Sequence, residues 1–153
     1  MKIDWKKLIL ALLLPQLAGF IGSLFTTPKI SSWYATIIKP SFNPPNWIFG
    51  PVWVFLFILM GIALYLIWIK KDNKLALTFF SIQLGLNILW SILFFGLQSP
   101  LLALIEIFIL EIFILLTIKE FYKISKKAAY ILIPYISWVS FAIILNFAIV
   151  ILN

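Results

Sequence analysis

The sequence predicts an all-α membrane protein, a bundle of five transmembrane helices with a Pro/Trp-rich lid loop between the first and second. Three observations carry that prediction. Hydrophobic residues make up 64% of the 153-residue chain and charged residues 11%, whereas soluble domains carry about 25% charged residues. The apolar residues fall into five runs of roughly 20, each enough to cross a hydrocarbon core about 30 Å thick. Between the first two runs the stretch WYATIIKPSFNPPNWIFGPVW, residues 33–53, sets Trp33, Tyr34, Trp47 and Trp53 among Pro40, Pro44, Pro45 and Pro51. Prolines at that density fix φ and lack donors, so no continuous helix or central strand fits. So aromatic a segment is not a flexible linker either. It is expected to be a stiff lid.

Taken in order, a short basic start leads into the first helix, about 8–27. A cleaved signal peptide is the competing expectation, but its apolar core is usually about 7–15 residues, and this run is longer. Pro15 lies inside and can kink the helix where neighbours satisfy the freed carbonyl. Ala18 and Gly22 form a small-xxx-small pair suited to close helix approach. The lid spans 28–50. The second helix, 51–69, ends at Lys70-Lys71, with Tyr65 and Trp68 placed as an interfacial belt. The third, 75–97, is closed by the tight turn Gln98-Ser99-Pro100. The fourth is expected over 101–122, and the fifth over 128–152 with Pro134 inside. The whole chain, 1–153, reads as one membrane domain without internal repeats.

Composition also excludes functions. With no cysteine and no histidine, disulfides, Cys/His zinc sites, imidazole acid–base chemistry and His-ligated haem are ruled out. The net charge of +7 comes from lysines between apolar runs, so it reads as a topology signal and not as nucleic-acid binding. Lysines 2, 6, 7, 70, 71, 74, 119, 123, 126 and 127 fall on one side of the bundle; Lys29 and Lys39 fall on the other. In a bacterial inner membrane this puts the amino terminus in the cytoplasm and the lid outside.

Candidate functional residues cluster by helical spacing. Gln83, Asn87, Trp90 and Phe94 share one face of the third helix. Amides are costly toward lipid, so that face should turn inward. Trp138, Ala142 and Asn146 repeat on the fifth helix with Tyr135 beside them, and Trp53 opens the second on the lid side. Any one of these residues could simply pack between helices. Their convergence under a stiff lid favours an enclosed, mostly apolar cavity for a flat hydrophobic ligand that stacks on indoles. Glu106 and Glu111 are five residues apart, about 140° around a helix, so they form no paired acid–base site. Each is costly in hydrocarbon and so a functional candidate, but the favoured expectation is that one or both are protonated or hydrogen-bonded to amides of the third or fifth span.

The run W-Y-x-x-x-x-K-P-S-[aromatic]-x-P-P-x-W-x-x-G-P-V-W resembles the first loop and second-helix start of the translocator protein family (TspO/MBR, tryptophan-rich sensory protein, formerly the peripheral-type benzodiazepine receptor). The resemblance continues through LAGFIGSLF in the first helix and through Gln83-Leu84, Asn87, Trp90, Ser91 and Phe94-Phe95-Gly96 in the third. Glu106 matches an acidic position early in the fourth helix. Pro134-Tyr135, Trp138, Phe141-Ala142 and Leu145-Asn146 resemble the fifth-helix signature. The similarity reaches from about Leu17 to Asn146 and implies a five-helix bundle whose pocket the first loop closes. It further implies porphyrin (protoporphyrin IX-like) or sterol ligands, benzodiazepine-site binding, a homodimer in the lipid bilayer, and a sensor or carrier role in tetrapyrrole or stress regulation.

Carried over by motif, the ligand-binding positions are Trp33, Tyr34, Trp53, Asn87, Trp90, Trp138, Ala142 and Asn146. Trp53 and Trp138 match the tryptophans tied to light-dependent porphyrin degradation, which makes an enzyme the alternative reading. No cofactor is expected beyond porphyrin as ligand. A transporter of sterol or another apolar solute is a further alternative, though repeat symmetry and broken mid-membrane helices are absent from the sequence. Phe42 stands where the family commonly has Trp. The sterol pattern late in the fifth helix is missing, since no basic residue follows Leu145 and Phe147; this favours a tetrapyrrole over a sterol.

Overall fold

In the computed structural model, which describes residues 2–153, the chain starts its first helix at a cap. The Asp4 side chain accepts from the Lys7 amide at 3.1 Å, satisfying a donor that has no partner within the helix. Helix α1 then runs Trp5–Ile30, through both Pro15 and Pro28. It is longer at each end than the apolar run alone suggests. A one-turn helix, α2 (Trp33–Thr36), follows; residues 37–45 are irregular, and α3 runs Asn46–Trp68. Helix α3 begins before the expected position 51 and continues through Pro51, its sixth residue, as membrane helices allow where neighbours satisfy the freed carbonyl. Gly50 lacks the Cβ that would clash with the following proline ring. The irregular lid is therefore shorter than 28–50.

Asn73 closes the next turn, its amide donating to the carbonyls of Ile67 at 3.1 Å and Lys70 at 2.8 Å. Asp72 supplies the positive φ of 56° the turn needs. Helix α4 (Lys74–Ser91) widens into a π turn over Ile92–Gly96, with the Leu97 amide on the Ile92 carbonyl at 2.8 Å. Such wide turns often mark functional sites; this one leaves Phe94 and Phe95, adjacent in sequence, both buried. Gln98, at φ 52°, makes the turn, and Ser99 caps α5 (Pro100–Ile124), with proline in the first turn. The fifth span is two helices, α6 (Lys126–Ile131) and α7 (Ile133–Leu152). Pro134 has no amide to continue α6, so it sits in the first turn of α7.

Five helical stretches are long and apolar enough to cross a membrane: Trp5–Ile30, Asn46–Trp68, Lys74–Gly96, Pro100–Ile124 and Lys126–Leu152. Outward positions such as Leu13, Leu17, Phe108, Ile112 and Phe147 are exposed and apolar, as lipid contact requires. No strand occurs among the described residues. This is an integral, multi-pass membrane protein.

Packing closes the helices into a ring: α1 lies between α3 and α4, α4 against α5, α5 against α7, and α6 against α3. The half nearest the lysine-rich end is solid, filled by Met60, Ile67, Phe80, Ile114, Phe121 and Leu132. There α1 and α3 touch backbone to backbone. A Cβ on Gly61 would lie 2.8 Å from the Ala11 carbonyl oxygen and from Leu12 Cα, so only glycine fits.

Candidate functional site

The half of the bundle nearest the lid is hollow. A cavity of about 620 Å³ lies among α1, α3, α4, α5 and α7 beneath α2, within the roughly 300–1,000 Å³ of small-molecule sites. Four indoles border it, from Trp47, Trp53, Trp90 and Trp138. Trp53 packs against Phe57 at 5.4 Å between ring centroids and meets Tyr135 edge-on at 6.3 Å. Trp138 lies between Phe49 at 6.0 Å and Phe141 at 5.6 Å. Trp90 stacks on Phe94 at 4.8 Å and donates its indole N–H to Asn146 Oδ1 at 3.1 Å. The Asn146 amide donates in turn to the Pro100 carbonyl at 2.9 Å. Ala142, one turn from both Trp138 and Asn146, keeps that wall low.

Below the chamber a polar chain joins two helices, α4 and α7. Asn87 Nδ2 donates to the Tyr135 hydroxyl at 3.0 Å, and that hydroxyl donates to Gln83 Oε1 at 2.7 Å. Gln83 is buried under the chamber and does not border it, whereas Asn87 does. Among the described residues Asn87 Oδ1 has no hydrogen-bond partner, so an acceptor faces the cavity. The amides predicted to look inward do so because each finds a partner across the bundle.

The lid is tied down by several bonds. The Lys39 ammonium donates to the carbonyls of Tyr34 at 2.6 Å and Ile37 at 3.1 Å, and lies 4.6 Å from the Tyr34 ring centroid. The Tyr34 hydroxyl donates to Asn43 Oδ1 at 3.2 Å. Burial pushes this phenol above its ordinary range, with the Asn43 side chain opposing. The Asn153 side chain accepts from the Ile38 amide at 2.9 Å and donates to the Ile38 carbonyl at 2.8 Å. Phe42 meets Phe141 edge-on at 6.5 Å.

Of the eight residues singled out in the sequence, Tyr34, Trp53, Asn87, Trp90, Trp138, Ala142 and Asn146 border the chamber. Trp33 does not; it packs edge-on against Phe94 and Phe95 at 5.5 and 6.3 Å, behind the wall. Neither glutamate bonds to an amide of the third or fifth span, which leaves protonation as the expectation for Glu106. Glu106 is buried, yet among the described residues neither carboxyl oxygen has a hydrogen-bond partner, because the amides of α4 are already committed to Tyr135 and Met60. Glu111 accepts from the Ser140 hydroxyl, not from an amide.

The sequence reading missed the α1 wall. Gly19, Gly22, Ser23 and Thr26 border the cavity, and a Cβ on Gly19 would overlap the Phe57 ring. The small pair Ala18 and Gly22 was the available signal, but it speaks only of close approach, here of Gly22 to Ser91. No group of three or more metal-ligating side chains occurs among the described residues.

A model of the TspO/MBR family matches residues 11–152. The chain is 50% identical over 150 residues to the tryptophan-rich protein TspO of Archaeoglobus fulgidus, covering 96% of this chain and 97% of that one. It is 34% identical to the translocator protein of Homo sapiens, over 90% of this chain and 84% of that one. Against the tryptophan-rich sensory protein of Cereibacter sphaeroides the identity is 31%, over 100% and 95%. With the five spans and the tryptophan-lined chamber, a match of this extent makes the chain a member of the TspO/MBR family.

Proposed function

We propose that this protein is a membrane sensor or carrier that holds a planar tetrapyrrole, a protoporphyrin IX-like molecule, in the chamber beneath the lid. One observation supports the reading above the others: four indoles border a single apolar cavity of about 620 Å³. Aromatic faces bind a large flat ring through area and offset stacking. The free Asn87 Oδ1 offers an acceptor for a pyrrole N–H, and Thr26 and Asn46 border the cavity toward the lid, where propionates would meet polar groups. The reading includes a homodimer in the bilayer, after the family, and a cytoplasmic amino terminus, after the lysine distribution. Equilibrium titration of a porphyrin panel into the protein in nanodiscs tests it. Saturable quenching of tryptophan emission by at least one porphyrin is expected; no saturable binding by any of them would overturn it.

A second reading has its own support. Trp53 on α3 and Trp138 on α7 both border the chamber, so a bound porphyrin excited by light would have two oxidisable indoles at its edge. Light-dependent degradation of the ligand is the activity that follows.

A further inference from the structure

The chamber is not equally enclosed on all sides. Of the residues bordering it, those exposed on the protein surface are Phe20, Thr27, Asn46, Trp47, Gly50 and Val54. All six belong to α1 and α3. Every bordering residue from α2, α4, α5 and α7 is buried or half-buried. The mouth therefore lies in the seam between α1 and α3.

Depth decides what the mouth faces. Phe20 lies ten residues before the end of α1 at Ile30, about 15 Å along the axis at 1.5 Å per residue. Val54 lies eight residues into α3, about 12 Å from its start. Both are more than half exposed, at 61% and 52%, and both lie well within the membrane-spanning stretches Trp5–Ile30 and Asn46–Trp68. The water side is closed differently: the lid is bonded to Asn153 through both the amide and the carbonyl of Ile38. The seam carries a lighter fastening. At its inner edge the Gln16 amide donates to the Val54 carbonyl at 3.2 Å, and Gly19 packs against the Phe57 ring; both border the cavity.

We propose that the chamber exchanges its ligand with the bilayer, sideways through the α1–α3 seam, and not with water under the lid. A lipid-soluble, flat molecule partitions into the membrane first, and the seam meets it there. The proposal rests on the chamber being a site for an apolar ligand, but its test needs no porphyrin.

The chain has no native cysteine, so Ala142→Cys places a single thiol in the chamber. In phosphatidylcholine vesicles, a long-chain N-alkyl maleimide dissolved in the lipid should modify this thiol, while a sulfonated, impermeant maleimide should react much more slowly. Adding Val54→Trp narrows the seam and should slow the alkyl reagent about tenfold, the effect of a modest added barrier. Adding Phe20→Ala widens the seam and should speed it. Adding Asn153→Ala frees the lid and should leave the rate within about twofold. The proposal is overturned if freeing the lid, and not changing the seam, alters the rate. It is equally overturned if the sulfonated reagent reacts as fast, or if neither reagent reaches the thiol. Failure of every porphyrin to bind would leave these rates untouched and count only against the tetrapyrrole.

Discussion

The Tyr135 hydroxyl donates to Gln83 Oε1 at 2.7 Å while accepting from Asn87 Nδ2 at 3.0 Å, so one phenol satisfies two buried amides from α4. Tyr135→Phe removes that shared partner without opening a cavity. Each orphaned amide costs about 1–3 kcal/mol, so thermal unfolding in detergent should shift down clearly. Ligand affinity should fall as well, because Asn87 loses the bond that holds its carbonyl oxygen toward the chamber. An unchanged melting temperature would refute the structural role of this chain of bonds.

Glu106 behaves oppositely. Among the described residues it has no hydrogen-bond partner to orphan, and burying an unpaired ionisable group costs stability that an apolar replacement avoids. Both Glu106→Gln and Glu106→Leu should therefore express and melt at or above the wild-type temperature. A marked loss of stability in the Leu variant would reveal a partner for the carboxyl; lost porphyrin affinity at unchanged stability in the Gln variant would make it a ligand contact.

Orientation is tested with single cysteines on exposed positions. Ser41→Cys, in the lid, should be labelled from outside intact cells by an impermeant maleimide, and Lys71→Cys, in the loop between α3 and α4, should not. The reverse pattern would refute the placement drawn from the lysines.

Stacking on an indole is worth about 0.5–1.5 kcal/mol beyond area burial. Cutting Trp53 or Trp138 to Ala should therefore weaken porphyrin binding at least roughly two- to twelvefold. Trp53→Phe and Trp138→Phe keep an aromatic face and should largely retain binding, yet lose light-dependent consumption, since indole oxidises more readily than phenyl. Trp5→Phe, away from the chamber, should change neither. Breakdown at full rate in the double Phe variant would rule out the enzymatic reading.

The lid carries its own pH signature. Burial raises the Tyr34 phenol above its ordinary value. Its folded pKa thus exceeds the unfolded value of about 10, so its contribution is complete below that pH and is lost as pH rises through the folded value. Melting temperature should then fall in strongly alkaline buffer by less in Tyr34→Phe than in wild type. Identical alkaline profiles would show that the phenol does not hold the lid.

Much of this was legible in the sequence, for identifiable reasons. The five spans followed from runs of apolar residues, and the inward faces of α4 and α7 followed from amides at helical spacing, since lipid forbids them on the outside. Helix ends were less legible. Pro15, Pro28 and Pro51 all sit inside helices, because a proline in a membrane span need not end the helix where neighbouring groups satisfy the freed carbonyl. Trp33, carried over by motif, packs against Phe94 and Phe95 and does not border the chamber; a motif match aligns a residue but cannot say whether it stands in the first or second layer of a wall. The α1 wall was invisible because glycine and serine contribute by what they leave empty.

The contact of Gly61 with Ala11 and Leu12 has a mechanical consequence. Helices α1 and α3 are pinned near one end by this contact and by the Tyr65 hydroxyl, which accepts from the Asp4 amide at 3.1 Å. Toward the other end the Gln16 bond and the packing of Gly19 on the Phe57 ring join them. Such a pair behaves as a lever with its fulcrum at the lysine-rich end, and lateral pressure in the surrounding lipid acts on the free arms. Acyl-chain length and packing are then expected to set how far the arms spread, so the chamber of the same polypeptide should differ in size between micelles, thin bilayers and thick ones.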